Sequence, residues 1–217
     1  MSYTQMIRNY LKDRKGGFFD ILKESIKFKL IPIKTLMRIL NRLEVEGLLT
    51  KVCKGLYFIN DETGYSKEKL IDYFTSYGRG MLVGNALYKK LGITDQECDE
   101  VIIYTNAISN NKNIGNIHLK KRDLLVYFKT EEAIITVLEL LEKGIDDIVD
   151  FDFMQVVNVL QRFSLIYNNL AFEEVVRKIH YQPFTIKKLK EQLDRLLVPN
   201  RCMEIYQKVR SAQKELF

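Results

Sequence analysis

Lys34, Thr35, Arg38, Asn41 and Arg42 recur at three- and four-residue spacing, which gathers them on one side of a helix. Their chemistry suits a polyanion. Ammonium and guanidinium groups meet phosphate oxygens, and the forked donors of arginine and asparagine match base edges. No Asp or Glu interrupts the nine residues from Lys34 to Arg42. An acid there would repel phosphate. Lys51 and Lys54 follow, and Lys23, Lys27 and Lys29 precede. Arg38 and Arg42 are the first choices for base contact, because arginine makes bidentate bonds to guanine. A cationic helix face is, on its own, more often a solvated surface. Its surroundings must decide.

The charge distribution favours the binding reading. Residues 1–60 hold twelve Lys/Arg against five Asp/Glu, whereas residues 61–217 hold 22 against 23. The excess positive charge of the 217-residue chain therefore lies in its first quarter, which points to a polyanionic partner for that segment.

The elements that must position these residues are legible. Ser2 and Gln5 have capping-box spacing, and Met6, Ile7, Tyr10 and Leu11 follow on one helical face, with Gly16-Gly17 ending the helix. Asp20 is an acceptable cap for a second, shorter helix carrying Ile21 and Leu22 inward. Pro32 suits the first position of a third helix, in which Ile33, Leu36, Met37, Leu40 and Leu43 form the apolar repeat and Gly47 the stop. Residues 48–53 and 56–59 are β-prone runs around Lys54-Gly55, the pattern of a hairpin. Helix, helix, long helix and hairpin make the order of a winged helix-turn-helix over residues 1–62. In that motif the third helix enters the major groove and the hairpin reaches the backbone.

Beyond it, a helix from Ser66 carries Leu70, Ile71, Phe74 and Tyr77 on one face. A glycine joint at 78–80 leads into a helix ending at Leu91-Gly92. Strands are expected at 101–104 and 114–119, with a third at 124–128 and a loop at 105–113. Apolar spacing then predicts helices near 131–143, 153–166, 171–180, 185–197 and 201–216. The expected class is α+β and mostly helical. It comprises the winged helix, a small α/β middle domain (63–129) and a helical carboxy-terminal domain (130–217).

The stretch Arg42-Leu43-Glu44-Val45-Glu46-Gly47-Leu48-Leu49, with Lys54-Gly55-Leu56-Tyr57, resembles the signature of winged-helix antitoxin domains. Residues 84–96, GNALYKKLGITDQ, are similar to the segment that follows in AbiEi-like proteins of bacterial abortive-infection systems. The strand at 101–105 and Gly115-Asn116-Ile117 sit where that family has them. The resemblance covers roughly residues 1–130. It implies the antitoxin of a type IV toxin–antitoxin pair, a transcriptional autorepressor acting on its own operator. Its functional partner would be a nucleotidyltransferase-like toxin, without need of a stable complex. Winged helices often bind palindromic DNA as dimers, but no heptad seam names a homodimer interface. The carboxy-terminal helices match nothing in the resemblance.

Other chemistries find little anchor. Cys53, Cys98 and Cys202 are odd in number and far apart, which suits a reducing compartment and neither a disulfide framework nor a zinc site. His118 and His180 lack neighbours at ligand spacing. Gly78, Gly80 and Gly84 have the wrong spacing for a phosphate loop. Asp146, Asp147, Asp150 and Asp152, with Glu139 and Glu142 nearby, read as a solvated acidic loop rather than a Mg²⁺ site. The last forty-one residues carry ten Lys/Arg against four acids, chiefly a solvated face. No cofactor, metal or catalytic residue is expected, and no stretch reaches the roughly 20 apolar residues of a membrane span. With no signal peptide at the amino terminus, the expected location is cytoplasmic. Two competitors remain. One is a protein-interaction adaptor whose carboxy-terminal helices dock a toxin. The other is an enzyme using the acidic cluster with Mg²⁺.

Overall fold

A computed structural model describes residues 2–214. The chain is α+β and mostly helical, with two small sheets. It divides into two compact units whose border lies between Tyr73 and Phe74.

The first unit opens with α1 (Tyr3–Lys12), whose cap Ser2 accepts a hydrogen bond from the Gln5 amide through its side chain. Ile7 and Leu11 are buried on its inner face. Next come β1 (Phe18–Asp20), α2 (Ile21–Glu24), α3 (Ile33–Val45), β2 (Leu49–Cys53) and β3 (Leu56–Ile59). The three strands form an antiparallel sheet in the order β1-β3-β2. Phe19 and Ile21 join Leu36, Ile39, Leu40 and Leu43 of α3 in one core with Leu49, Tyr57 and Ile59. Each such side chain contributes about 1.5–3 kcal/mol on leaving water, so the inner face of α3 supplies most of what holds the helix in place. Gly47 follows α3 at φ +74°, a backbone region that glycine enters without steric cost. Asp20 caps α2 through the Leu22 amide and also accepts from the Tyr73 hydroxyl, at 3.0 Å in both cases.

Helix α4 (Lys67–Thr75) carries the border between the units. The second unit has β4 (Gly80–Val83), α5 (Asn85–Lys90), β5 (Val101–Thr105), β6 (Lys112–Ile114) and β7 (Ile117–Lys121). Its sheet runs β4-β5-β7-β6, with β5 and β7 parallel and the other pairs antiparallel. Among the described residues, five α-helices follow: α6 (Lys129–Lys143), α7 (Phe153–Ile166), α8 (Asn169–Lys178), α9 (Pro183–Arg195) and α10 (Cys202–Lys214). Helix α6 packs against α7, α8 and α9, and one core runs from Met81 of the sheet to Val209 of α10. Asp152 and Asn168 cap α7 and α8, and Pro183 opens α9.

Several sequence expectations change. The strands β1 and β4 were not foreseen, and β4 occupies ground read as a glycine joint leading to a helix. The expected strand at 124–128 is absent: these residues run without strand pairing, and Leu124 and Tyr127 are buried as plugs. Residues 112–113, read as loop, begin β6. Helix α4 ends before Tyr77, which is exposed at φ +58° rather than turned inward. Pro32 stands one residue before α3 as its cap. The final helix was expected to reach 216, and residues 215 and 216 lie outside those described. Among the described residues, no helix is long and apolar enough to cross a membrane.

Candidate nucleic-acid interface

At 100° per residue, the buried side of α3 is centred on Leu43 and Leu36, so the opposite side is centred on Lys34, Asn41 and Val45, with Arg38 beside them. The observed exposure follows this geometry. Lys34, Arg38, Asn41 and Val45 are exposed, while Leu36, Ile39, Leu40 and Leu43 are buried. Thirteen residues make a helix about 20 Å long.

The cations on this face differ in freedom. Among the described residues, the side chains of Lys34 and Arg38 make no hydrogen bond or ion pair, and both stand in solvent. Arg42 and the half-buried Thr35 lie on the flank nearer α1. A terminal guanidinium nitrogen of Arg42 donates to Thr4 Oγ1 at 3.1 Å, which draws it towards that helix. On the other flank, the Tyr57 hydroxyl donates to Asn41 Oδ1 at 3.3 Å. Burial, followed by the charge of Glu44, raises the Tyr57 pKa, so the hydroxyl keeps its proton and remains the donor. Asn41 thereby has one oxygen lone pair engaged, and its amide nitrogen is available to donate.

The neighbouring acids are mostly engaged. Arg8 pairs with Glu46, just beyond the end of α3. Lys27 pairs with Glu24 at 2.9 Å and donates to the Tyr10 hydroxyl at 2.8 Å, and these hydrogen bonds raise its pKa. Lys27 is thus tied locally and adds little to the outer field. Lys51 is exposed on β2, at a bulge where the register with β3 shifts between Lys51 and Cys53. Lys54 is exposed at the β2–β3 turn, which Gly55 closes at φ +85°.

Three features of this surface escaped the sequence reading. Met37 and Ile33, expected in the core, are substantially exposed, and Ile39 takes an inward position instead. Val45 is an apolar residue at the centre of the outer face. Thr4 and Tyr57 hold Arg42 and Asn41 from other elements. The angular positions of Ile39 and Val45 can be counted from the helical period, but the two hydrogen bonds depend on chain crossings that the period does not encode.

Elsewhere, Asp152 of the acidic loop is occupied as the cap of α7. His118 Nδ1 lies 3.1 Å from Asn113 Oδ1. Among the described residues, no group of three or more His, Cys, Asp or Glu side chains is placed to hold a metal ion. No family model matches the sequence, and no curated protein matches it.

Proposed function

We propose that the first unit is a winged helix-turn-helix, that α3 is its recognition helix, and that the protein is a DNA-binding transcriptional autorepressor. One observation carries this reading: the outer face of α3 presents Lys34, Arg38 and Asn41 to solvent without an acid among them, beside a hairpin bearing Lys51 and Lys54. The α1-β1-α2-α3-β2-β3 order and the β1-β3-β2 sheet support it. In this arrangement β1 pairs with β3 and ties the hairpin to the core through Phe19.

A major groove about 12 Å wide admits such a helix. Arg38 then approaches a guanine edge, Asn41 donates from its amide nitrogen, and Val45 and Met37 offer apolar contact to thymine methyl groups. Lys34, Lys51 and Lys54 neutralise phosphates, and Arg42 supports the field from the flank. The resemblance to AbiEi-like proteins extends the proposal to an antitoxin role against a nucleotidyltransferase-like toxin.

The test is fluorescence anisotropy with the full chain, a labelled duplex from upstream of its own gene, and a shuffled duplex of equal composition. The proposal expects tighter binding to the upstream duplex and a steep loss of affinity with salt. Equal, weak, salt-insensitive binding to both would reject it.

A protein-docking module is a second reading, favoured by the exposure of Leu22 in α2 and of Ile26 and Leu30 in the turns after it. Co-purification with the adjacent gene product, without DNA binding, would select it.

A further inference from the structure

Over its fourteen residues α7 carries a single charged side chain, Arg162. Its Val156 and Phe163 join the core, on the helix that packs on α6. The opposite side carries exposed apolar residues at both ends, Met154 at 63% and Leu165 at 84%, and Phe153 on its flank is 65% exposed. Leu170, just inside α8, is 82% exposed, and Val149, just before α7, is 54% exposed. Scattered apolar residues are normal on a surface, but a contiguous group on one helix marks an interaction site.

The pattern on this face specifies what covers it. At 100° per residue, Met154, Asn158, Gln161 and Leu165 fall within an arc of about 60°. Read along the helix, the stripe is apolar, amide, amide, apolar. A second α7 laid antiparallel, with the two-fold axis between Val159 and Leu160, places Met154 against Leu165 of the second copy. The same register places Asn158 against Gln161 of the second copy. Each amide both donates and accepts, so the central pair satisfies itself, and no like charges meet along the seam. An isologous two-fold contact demands this self-complementarity. A lipid surface or an acidic partner would favour a basic rim, which α7 lacks.

The available area is also sufficient. The exposed parts of these residues, with the half-buried Val157 and Ser164, offer on the order of 600–800 Å² per copy, near the ~800 Å² per partner of a standard-size interface.

We propose that α7 is the seam of a homodimer, paired antiparallel about its midpoint. The inference stands apart from the DNA reading, since it uses only the second unit.

Sedimentation velocity on the full chain tests it. The unaltered protein is expected to sediment as a dimer at micromolar concentration. Met154→Lys and Leu165→Glu should each give a monomer with unchanged circular dichroism and melting, because both side chains lie outside the core. The two substitutions together should restore the dimer, since the antiparallel register sets each new charge against its opposite. Three turns separate the two positions within one chain, so they cannot pair internally. Gln161→Lys, near the axis, should also dissociate the dimer by setting like charges together. A monomeric wild-type protein, a dimer indifferent to the single charges, or a double variant that stays monomeric would each overturn the proposal. So would a monomer that co-floats with phosphatidylcholine vesicles and loses this on Leu165→Glu, which would assign the face to lipid.

Discussion

Arg38→Ala separates recognition from folding. The guanidinium is exposed, and among the described residues it bonds to nothing in the protein. Its removal should therefore change stability by no more than about 0.5 kcal/mol. If Arg38 makes a bidentate contact to guanine, its loss costs about 1–3 kcal/mol of specific binding. That corresponds to roughly 5- to 150-fold in Kd. Binding to a shuffled duplex should weaken far less. Lys51→Ala is the matched control, because the proposed function assigns this exposed lysine at a hairpin bulge to phosphate rather than to a base. It should weaken both duplexes alike and reduce the slope of log K against log salt by about 0.9. Paired anisotropy titrations at several salt concentrations read both quantities. Equal losses on both duplexes for Arg38→Ala, with the salt slope reduced as for lysine, would refute its assignment as a base reader.

Two further predictions concern the second unit. Glu139 on α6 accepts hydrogen bonds from the Tyr104 and Tyr181 hydroxyls, each at 3.0 Å. Burial outweighs these bonds and raises its pKa above the ordinary 4.5. A carboxyl raised in the folded state contributes stability below its unfolded pKa and loses it as pH rises through the folded value. Glu139→Gln keeps an acceptor for the tyrosines but never ionises. Urea denaturation should show the variant gaining on the wild type as pH rises above 4.5, and a gap constant with pH would contradict this. At Gly80, a Cβ would lie 2.3 Å from the Tyr104 carbonyl oxygen and 2.8 Å from that of Phe74. Both are backbone atoms that cannot turn aside, so Gly80→Ala should cost about 1–3 kcal/mol as β4 is forced from β5. An unchanged thermal melt would show that the strand accommodates the methyl group.

Much of this fold is legible in local pattern. The Ser2 cap, Gly47 and the Lys54-Gly55 turn are local signals that lie where the residues indicate, and the inner stripe of α3 holds at Leu36, Leu40 and Leu43 but not at Ile33 and Met37. The strands β1 and β4 have only three and four residues, too short for an alternating pattern, and exist because a distant partner pairs with them. The opposite error arose at 124–128, where apolar residues suggested a strand but plug a core without a pairing edge. For the candidate interface, the charges of Lys34, Arg38 and Lys51 were readable because they answer to solvent. The engagement of Arg42 by Thr4 and of Asn41 by Tyr57 was not, because it joins residues 38 and 16 positions apart.

The outer face of α3 can be probed residue by residue by recording amide ¹H–¹⁵N spectra of the full chain as unlabelled upstream duplex is added. Shifts concentrated on Lys34, Arg38, Asn41 and Val45, with a second group at Lys51 and Lys54, are the predicted result. Saturable binding that leaves those amides unmoved while shifting others would contradict the assignment of α3 as the element that reads DNA.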